Sequence, residues 1–174
     1  MKLTVLIALL ATVSASAVSA APGSSPSTSK PSTVLDFYLL LPSSVIMPED
    51  HHQMPRTERI QLLQEGGIVD RAHGYLKVPP GCCCTGFFEM CLFRRLDGSY
   101  VVAAHHSSGE DLEPSLTFFE YRNGKLHILR PASLGVMVRE HAEYWLPRYG
   151  TTIRRNSGGL LVWDRSRFRP ASHS

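Results

Sequence analysis

The chain lacks a strong excess of charge of either sign. Its 174 residues contain 18 Lys and Arg against 15 Asp and Glu, which gives a formal net charge of +3 at pH 7. A strongly basic nucleic-acid binder or a protein with an acidic tail would carry a larger imbalance. The composition is 43% hydrophobic, which excludes wholesale disorder and is enough for one domain with a core. We therefore expect a globular protein with no nucleic-acid partner.

The sequence also lacks the short motifs that carry common enzyme chemistry. It contains no glycine-rich nucleotide loop, no G-x-S-x-G nucleophile elbow, no H-E-x-x-H zinc motif and no calcium-binding loop. No cofactor is therefore predicted. These absences favour a binding module over an enzyme.

Long hydrophobic runs are missing after the first twenty residues. Residues 1–20 begin with a positive charge at Lys2, continue with an apolar stretch from Leu3 to Val13, and end in small residues. This is the pattern of a secretory signal peptide, with cleavage expected before Ala21. Serines interrupt the stretch too early for a transmembrane helix, which needs about 20 predominantly apolar residues. We predict a protein exported to the periplasm or secreted, with no transmembrane segment after signal removal.

Composition divides the remaining chain into three parts. Residues 21–33 are rich in Ser, Pro and Thr and are typical of a flexible leader. A single globular domain is expected over residues 34–170, followed by a short tail at 171–174. Without the signal, 17 basic and 15 acidic side chains leave a net charge of +2.

Turn residues between apolar runs recur along the domain. Asp97-Gly98 and Asn123-Gly124 are pairs that accept the positive φ of tight hairpin turns. The sequence predicts four hairpins, formed by Ile68–Asp70 with Tyr75–Val78, Phe87–Arg95 with Tyr100–His106, Leu116–Arg122 with Leu126–Leu129, and Thr151–Arg155 with Leu160–Trp163.

Helix signals are few. One helix is predicted to begin at Pro55 and to stop at Gly66, with apolar residues on one side between them. A second is predicted over Val136–Trp145, where apolar and aromatic residues recur at near-helical spacing. Trp145, Trp163 and Phe168 are expected in the core. The fold class expected is α+β, a mostly antiparallel sheet of successive β-hairpins with one or two short helices.

Cysteine is scarce and confined to ten positions, with Cys82, Cys83 and Cys84 in a triplet and Cys91 beyond it. An exported protein meets oxidising conditions, so an even cysteine count favours a disulfide. Adjacent cysteines are poor partners because their bridge is strained. We expect one local disulfide, for which Cys84 and Cys91 are candidates, with the remaining thiols buried or idle.

The same thiols are candidate metal ligands. Thiolate and imidazole together suit zinc or Cu(I), and histidines occur in two adjacent pairs. The spacing contains no C-x-x-C pair, so metal handling is the alternative function and not the first. The candidate ligands are Cys82, Cys83, Cys84, Cys91, His51, His52, His105 and His106.

A thiol enzyme is the third interpretation, and it depends on hairpin register. If Asp97-Gly98 forms a two-residue turn, Glu89 faces His106 and Cys91 lies diagonal to His106 on one sheet face. The imidazole would then activate the thiol while Glu89 orients the ring. Apolar neighbours on that face favour the opposite interpretation, in which Cys91 is a small core residue. A one-residue slip would separate these groups.

Arginine is concentrated in the last part of the chain. From Arg139 onward there are seven Arg against Glu140, Glu143 and Asp164. A solvated face explains this run most simply. The functional alternative is an anionic partner such as a lipid headgroup, a cell-wall polymer or an acidic protein.

An ordered set of short segments runs through residues 35–169, consisting of Asp36–Pro42, Ile68–Asp70, Gly74–Leu76, Phe93–Arg95, Asp97–Tyr100, Leu146–Pro147, Gly150–Ile153, Trp163 and Phe168. In this order the chain resembles small exported bacterial domains of unassigned function. The Cys82–Cys84 triplet departs from the small polar residues of such domains. The resemblance implies export and an α+β fold, and it transfers no catalytic residue. The function ranked first is a non-enzymatic binding or inhibitory module that acts on a protein or cell-envelope partner.

Overall fold

The computed structural model describes residues 30–48, 53–80, 86–107, 115–139 and 142–171. Within these ranges three short α-helices precede all the strands, and a 3-10 helix spans Pro131–Leu134. The helices are α1 (Val34–Leu40), α2 (Ser43–Ile46) and α3 (Arg56–Gln64). The strands are β1 (Ile68–Asp70), β2 (Tyr75–Val78), β3 (Phe88–Arg94), β4 (Tyr100–His106), β5 (Ser115–Arg122), β6 (Lys125–Leu129), β7 (Tyr144–Trp145), β8 (Thr152–Arg155), β9 (Leu160–Trp163) and β10 (Phe168–Pro170).

The strands form two antiparallel sheets of successive hairpins. The first sheet contains β1 to β6 in chain order, and the second runs β10-β9-β8-β7. Each pair of neighbouring strands is therefore also consecutive in the chain. All four predicted hairpins are present, so the prediction of successive antiparallel hairpins is confirmed. The described residues form two sheets where one was expected, and three α-helices where one or two were expected.

The first sheet is the middle layer of the fold. One face packs on α1 and α2, where Phe37, Tyr38 and Ile46 join buried residues of β2 to β5. The other face packs on the second sheet, where Phe93 and Phe118 join Trp163 and other buried residues. Because side chains alternate along a strand, neighbouring residues of β3 and β4 enter different cores. A shift of one residue in register therefore changes the layer to which each side chain belongs.

The register between β3 and β4 differs by one residue from the prediction. Glu89 pairs with His105, not His106, and Cys91 pairs with Ala103. The cause is the turn, which contains three residues, because Arg95 N–H donates to the Ser99 carbonyl across it. Gly98 occupies the left-handed region at φ 79°, as in a type I turn closed by a bulged glycine. Asp-Gly fits this turn as well as the two-residue turn.

The helices were predicted less well than the hairpins. Helix α3 begins directly after Pro55 and ends before Gly66, as predicted. The helix predicted over Val136–Trp145 is wrong, because Tyr144 and Trp145 form β7 and pair with β8. Helix α1 was missed, although Thr33 and Asp36 form a capping box at its start. No helix in the described residues is long and apolar enough to cross a membrane.

Candidate functional site

Two of the three residues predicted for a thiol site share one sheet face, and the third does not. Glu89 and Cys91 lie on the face of β3 that packs on the second sheet, and the register places His105 beside Glu89. His106 projects to the opposite face, where Ala104 and Phe88 belong to the other core. Its Nδ1 lies 2.9 Å from the Ser107 carbonyl oxygen. The predicted approach of His106 to Cys91 is therefore wrong.

Glu89 is a buried carboxylate held by two donors. Glu89 is only 3% exposed to solvent. Tyr75 donates its hydroxyl to Oε2 at 2.8 Å, and the Leu146 peptide N–H donates to Oε1 at 2.6 Å. Burial, together with the Glu89 charge, raises the pKa of Tyr75 above its usual value. The carboxylate therefore connects β2 and β3 to the segment that follows β7.

Cys91 is a buried free thiol. Burial raises the pKa of this thiol well above its usual value, and the nearby Glu89 charge acts in the same direction. A thiolate is the nucleophilic form of cysteine, so this environment disfavours nucleophilic chemistry. Cys84, the predicted disulfide partner, lies outside the described residues.

His105 is the histidine that shares this face, and it is completely buried. Its Nδ1 lies 2.7 Å from the Ser115 carbonyl oxygen, a contact that requires the proton on Nδ1. Nε2 lies 3.4 Å from Glu143 Oε2, within ion-pair range but without the geometry of a hydrogen bond. The ring packs edge-on against Phe87 and Tyr144. These contacts position His105 as part of the layer between the sheets.

The metal prediction is tested only in part. His51, His52 and Cys82–Cys84 lie outside the described residues. Inside them, no group of three or more His, Cys, Asp or Glu side chains is arranged to hold a metal ion. His105 and His106 are adjacent in β4 and project to opposite faces. Metal handling by the cysteine triplet stays a prediction.

The arginines of the last third of the chain divide into neutralised and unneutralised groups. Arg148 pairs with Asp70 at 3.1 Å, and Arg169 pairs with Asp164 at 2.5 Å. Arg154, Arg165 and Arg167 are exposed and form no ion pair with any described residue. The cationic run is thus not a uniform solvated face.

The solvent side of the second sheet, here called the outer face, consists of Trp145, Thr152, Arg154, Leu160, Val162 and Arg169. Trp145 pairs with Arg154 across β7 and β8, and Arg154 pairs with Leu160 across β8 and β9. Paired residues in an antiparallel sheet project to the same side. Trp145 is 46% exposed and Leu160 is 37% exposed. The outer face therefore carries an aromatic, a cationic and an aliphatic side chain in one row.

Sequence reasoning missed this row because it expected Trp145 in the core. Trp163 and Phe168 are buried as expected, but the core position at β7 belongs to Tyr144. Strand alternation then turns the next residue, Trp145, towards solvent. The available signal was the Tyr-Trp pair itself, since two adjacent residues of a strand project to opposite faces.

Comparison of the chain with protein-family models, with curated proteins and with solved structures gave no match. The geometry of the buried layer and of the outer face is therefore what bears on function.

Proposed function

We propose that the protein is an exported, non-enzymatic binding module that attaches through its outer face to an acidic surface of a protein partner. The observation that carries this proposal is the row of Trp145, Arg154 and Leu160 across three strands. Export rests on the signal-like residues 1–20. The partner is defined by its chemistry, a carboxylate-bearing patch with an apolar neighbour.

The residue types of the row match those that dominate protein interfaces. Tryptophan and arginine are enriched among the few residues that contribute most binding energy, because each has a large planar surface and polar edges. Trp145 is exposed although the opposite side of the same sheet is packed into a core. A sheet with one buried face and an aromatic residue on the other has surface available for a partner.

Charge selects the kind of partner. Arg169 on the outer face already pairs with Asp164, whereas Arg154 forms no ion pair with any described residue. An acidic group on a partner would satisfy Arg154 with a charge-assisted hydrogen bond. The remaining net positive charge of the processed chain would also speed the encounter with such a partner.

The buried Glu89, Cys91 and His105 layer supports a structural role for the residues first considered for catalysis. Each of these side chains is enclosed between the sheets, and Glu89 and His105 are engaged with neighbours from other strands. Their packing holds the second sheet against the first. The outer face is then presented on a rigid support.

The test is the affinity of the protein for an acidic polypeptide, with poly-L-glutamate as the probe. We expect Arg154→Gln and Trp145→Ala each to weaken binding at least about tenfold, as for central interface residues. Arg167→Gln removes an exposed arginine that lies off the outer face and is the matched control, with affinity unchanged. Equal affinities for all four proteins would contradict the proposal. Binding to vesicles of anionic lipid but not to the polypeptide would also contradict it, in favour of a membrane partner.

A further inference from the structure

A second basic site lies at the end of the β3–β4 hairpin, away from the outer face. It is a groove of about 490 Å³, within the range of about 300–1,000 Å³ typical of small-ligand sites. The walls come from the hairpin, from Trp163 of β9 and from the β9–β10 turn. Three arginines line it, namely Arg94, Arg95 and Arg165.

The groove exists because β2 is shorter than β3. The last contact between the two strands on this side is the Leu92 N–H donating to the Gly74 carbonyl. Beyond it, the alternating pattern of an antiparallel pair turns the peptide groups of Arg94 away from β4 and towards the groove. Trp163 Nε1 donates to the Arg94 carbonyl at 3.0 Å. The uncovered edge of β3 thus forms one wall and the indole forms another.

The charge of the groove is positive and only partly neutralised. Arg95 pairs with Glu120 at 3.4 Å. Arg94 and Arg165 are exposed and form no ion pair with any residue that the structure describes. None of the described residues that line the groove is acidic. Two arginines without an ion-pair partner among the described residues therefore border the groove.

The acidic residues in the two turns that border the groove are engaged by other groups. Asp97 accepts hydrogen bonds from the backbone N–H and the hydroxyl of Ser99. Asp164 accepts from Ser166, from the Arg167 N–H and from Arg169 Nε. Asp97 is thus held within its own turn, and Asp164 is held by its turn and by Arg169 of β10. They leave Arg94 and Arg165 without a counter-charge.

We propose that this groove binds a phosphate monoester through Arg94 and Arg165. A phosphate monoester carries a charge of about −1.5 to −2 at pH 7, which matches two unneutralised guanidinium groups better than one carboxylate does. Guanidinium groups bind phosphate oxygens with paired hydrogen bonds, and Thr151 adds a hydroxyl to the lining. Leu96 and Trp163 provide apolar surface for the organic part of the ligand.

The two tryptophans of the chain make the groove directly observable. In a ¹H–¹⁵N spectrum, the Trp163 indole N–H reports on the groove and the Trp145 indole N–H reports on the outer face. Titration with glycerol 3-phosphate is expected to shift the Trp163 signal and to leave the Trp145 signal in place. A shift of Trp145 alone would overturn the proposal without bearing on the polypeptide affinity of the outer face. A shift of neither signal would exclude a soluble phosphate ligand and leave the lipid headgroup to be tested with vesicles.

Variants test the two arginines. Arg94→Gln and Arg165→Gln replace the charged guanidinium with a shorter, uncharged polar group, and each is expected to lower phosphate affinity about tenfold or more. Arg154→Gln on the outer face is the matched control, with phosphate affinity unchanged. Because all three side chains are exposed, the folded spectrum of each variant should match that of the parent. Unaltered affinity in both groove variants would overturn the assignment.

The source of the phosphate is distinguished by a second probe. Vesicles that contain phosphatidic acid are compared with vesicles of phosphatidylcholine alone. Binding to glycerol 3-phosphate in solution supports a soluble ligand. Binding only to phosphatidic acid vesicles supports a lipid headgroup, provided that Arg165→Gln abolishes it. Binding to neither probe overturns the proposal.

Discussion

Glu89 shows how a residue that looks catalytic in the sequence serves the packing of this protein. A buried carboxylate is costly unless donors satisfy it, and here the donors are the Tyr75 hydroxyl and the Leu146 N–H. Both come from elements that meet at the layer between the sheets. The sequence identified Glu89 and Cys91 as neighbours on one face. It did not identify Tyr75 or Leu146, because contacts separated by 14 and 57 positions leave no local signal.

The reactivity of Cys91 follows from its burial. Because the thiol is buried and its pKa is raised, we expect no alkylation of Cys91 by iodoacetamide in the folded protein at neutral pH. Unfolding in urea without a reductant should make it reactive, as measured by mass spectrometry of the peptide that contains it.

Two results would contradict this description of Cys91. Rapid alkylation in the folded state would restore the thiol-enzyme interpretation. Resistance to alkylation that persists in urea and ends only with a reductant would show that Cys91 is in a disulfide, as first expected with Cys84. A thiol-specific reagent therefore separates the three roles considered for this cysteine.

Among the secondary-structure elements, the turns decided how much was predictable. Gly and Asn or Asp marked the hairpins correctly, since these residues accept positive φ at low cost. The preference for positive φ does not determine how many residues the turn contains. That number sets the register of β3 and β4. The helix predicted over Val136–Trp145 failed for a related reason. Its apolar spacing also fits a strand that pairs with β8, and tertiary pairing prevailed over the local pattern.

The left-handed conformation of Gly98 is costly for any residue that has a Cβ. An added Cβ would meet only the end of the Arg94 side chain at 3.9 Å, so the cost of Gly98→Ala comes from the backbone at φ +79°. We expect a loss of about 1–2 kcal/mol in the free energy of unfolding, measured by urea denaturation. Gly98→Asn is the control and should lose less, because asparagine tolerates this conformation better. An alanine variant as stable as the parent would contradict the left-handed conformation of Gly98.

The whole molecule depends on how the second sheet is held against the first. Besides the shared core, a surface contact joins the β1–β2 turn to the loop after β7. Asp70 accepts from His73 Nδ1 at 2.9 Å and from Arg148 Nε at 3.1 Å. Tyr149 packs edge-on against the His73 ring. Arg148 lies 78 positions from Asp70 in the chain, so the contact between their two segments is a property of the fold alone.

This contact predicts a pH dependence. The hydrogen bond from His73, followed by that from Arg148, lowers the pKa of Asp70 below its usual value of 3.8. Since the folded pKa is lower than the unfolded one, the stabilisation is present above that usual value and is lost as pH falls through the folded pKa. Asp70→Asn should therefore reduce the loss of stability on acidification, as measured by urea midpoints. Parallel acid profiles for the parent and the variant would contradict the role of Asp70.

The outer face is the feature of the whole molecule on which the proposed function depends. The sequence predicted the cationic run and an anionic partner as one explanation of it, but it placed Trp145 in the core. Only the assembled sheet shows that Trp145, Arg154 and Leu160 form one row, since they come from three strands. Sequence spacing does not determine which strands pair, so this row could not be predicted from the chain alone.

The most direct test of the proposed function is a ¹H–¹⁵N titration of the protein with poly-L-glutamate, read at the two indole N–H signals. We expect the Trp145 signal to shift with saturation and the Trp163 signal to stay in place. In Arg154→Gln, at least about tenfold more polypeptide should be needed for the same shift. A titration that moves Trp163 and leaves Trp145 unchanged, or that moves neither signal, would contradict binding through the outer face.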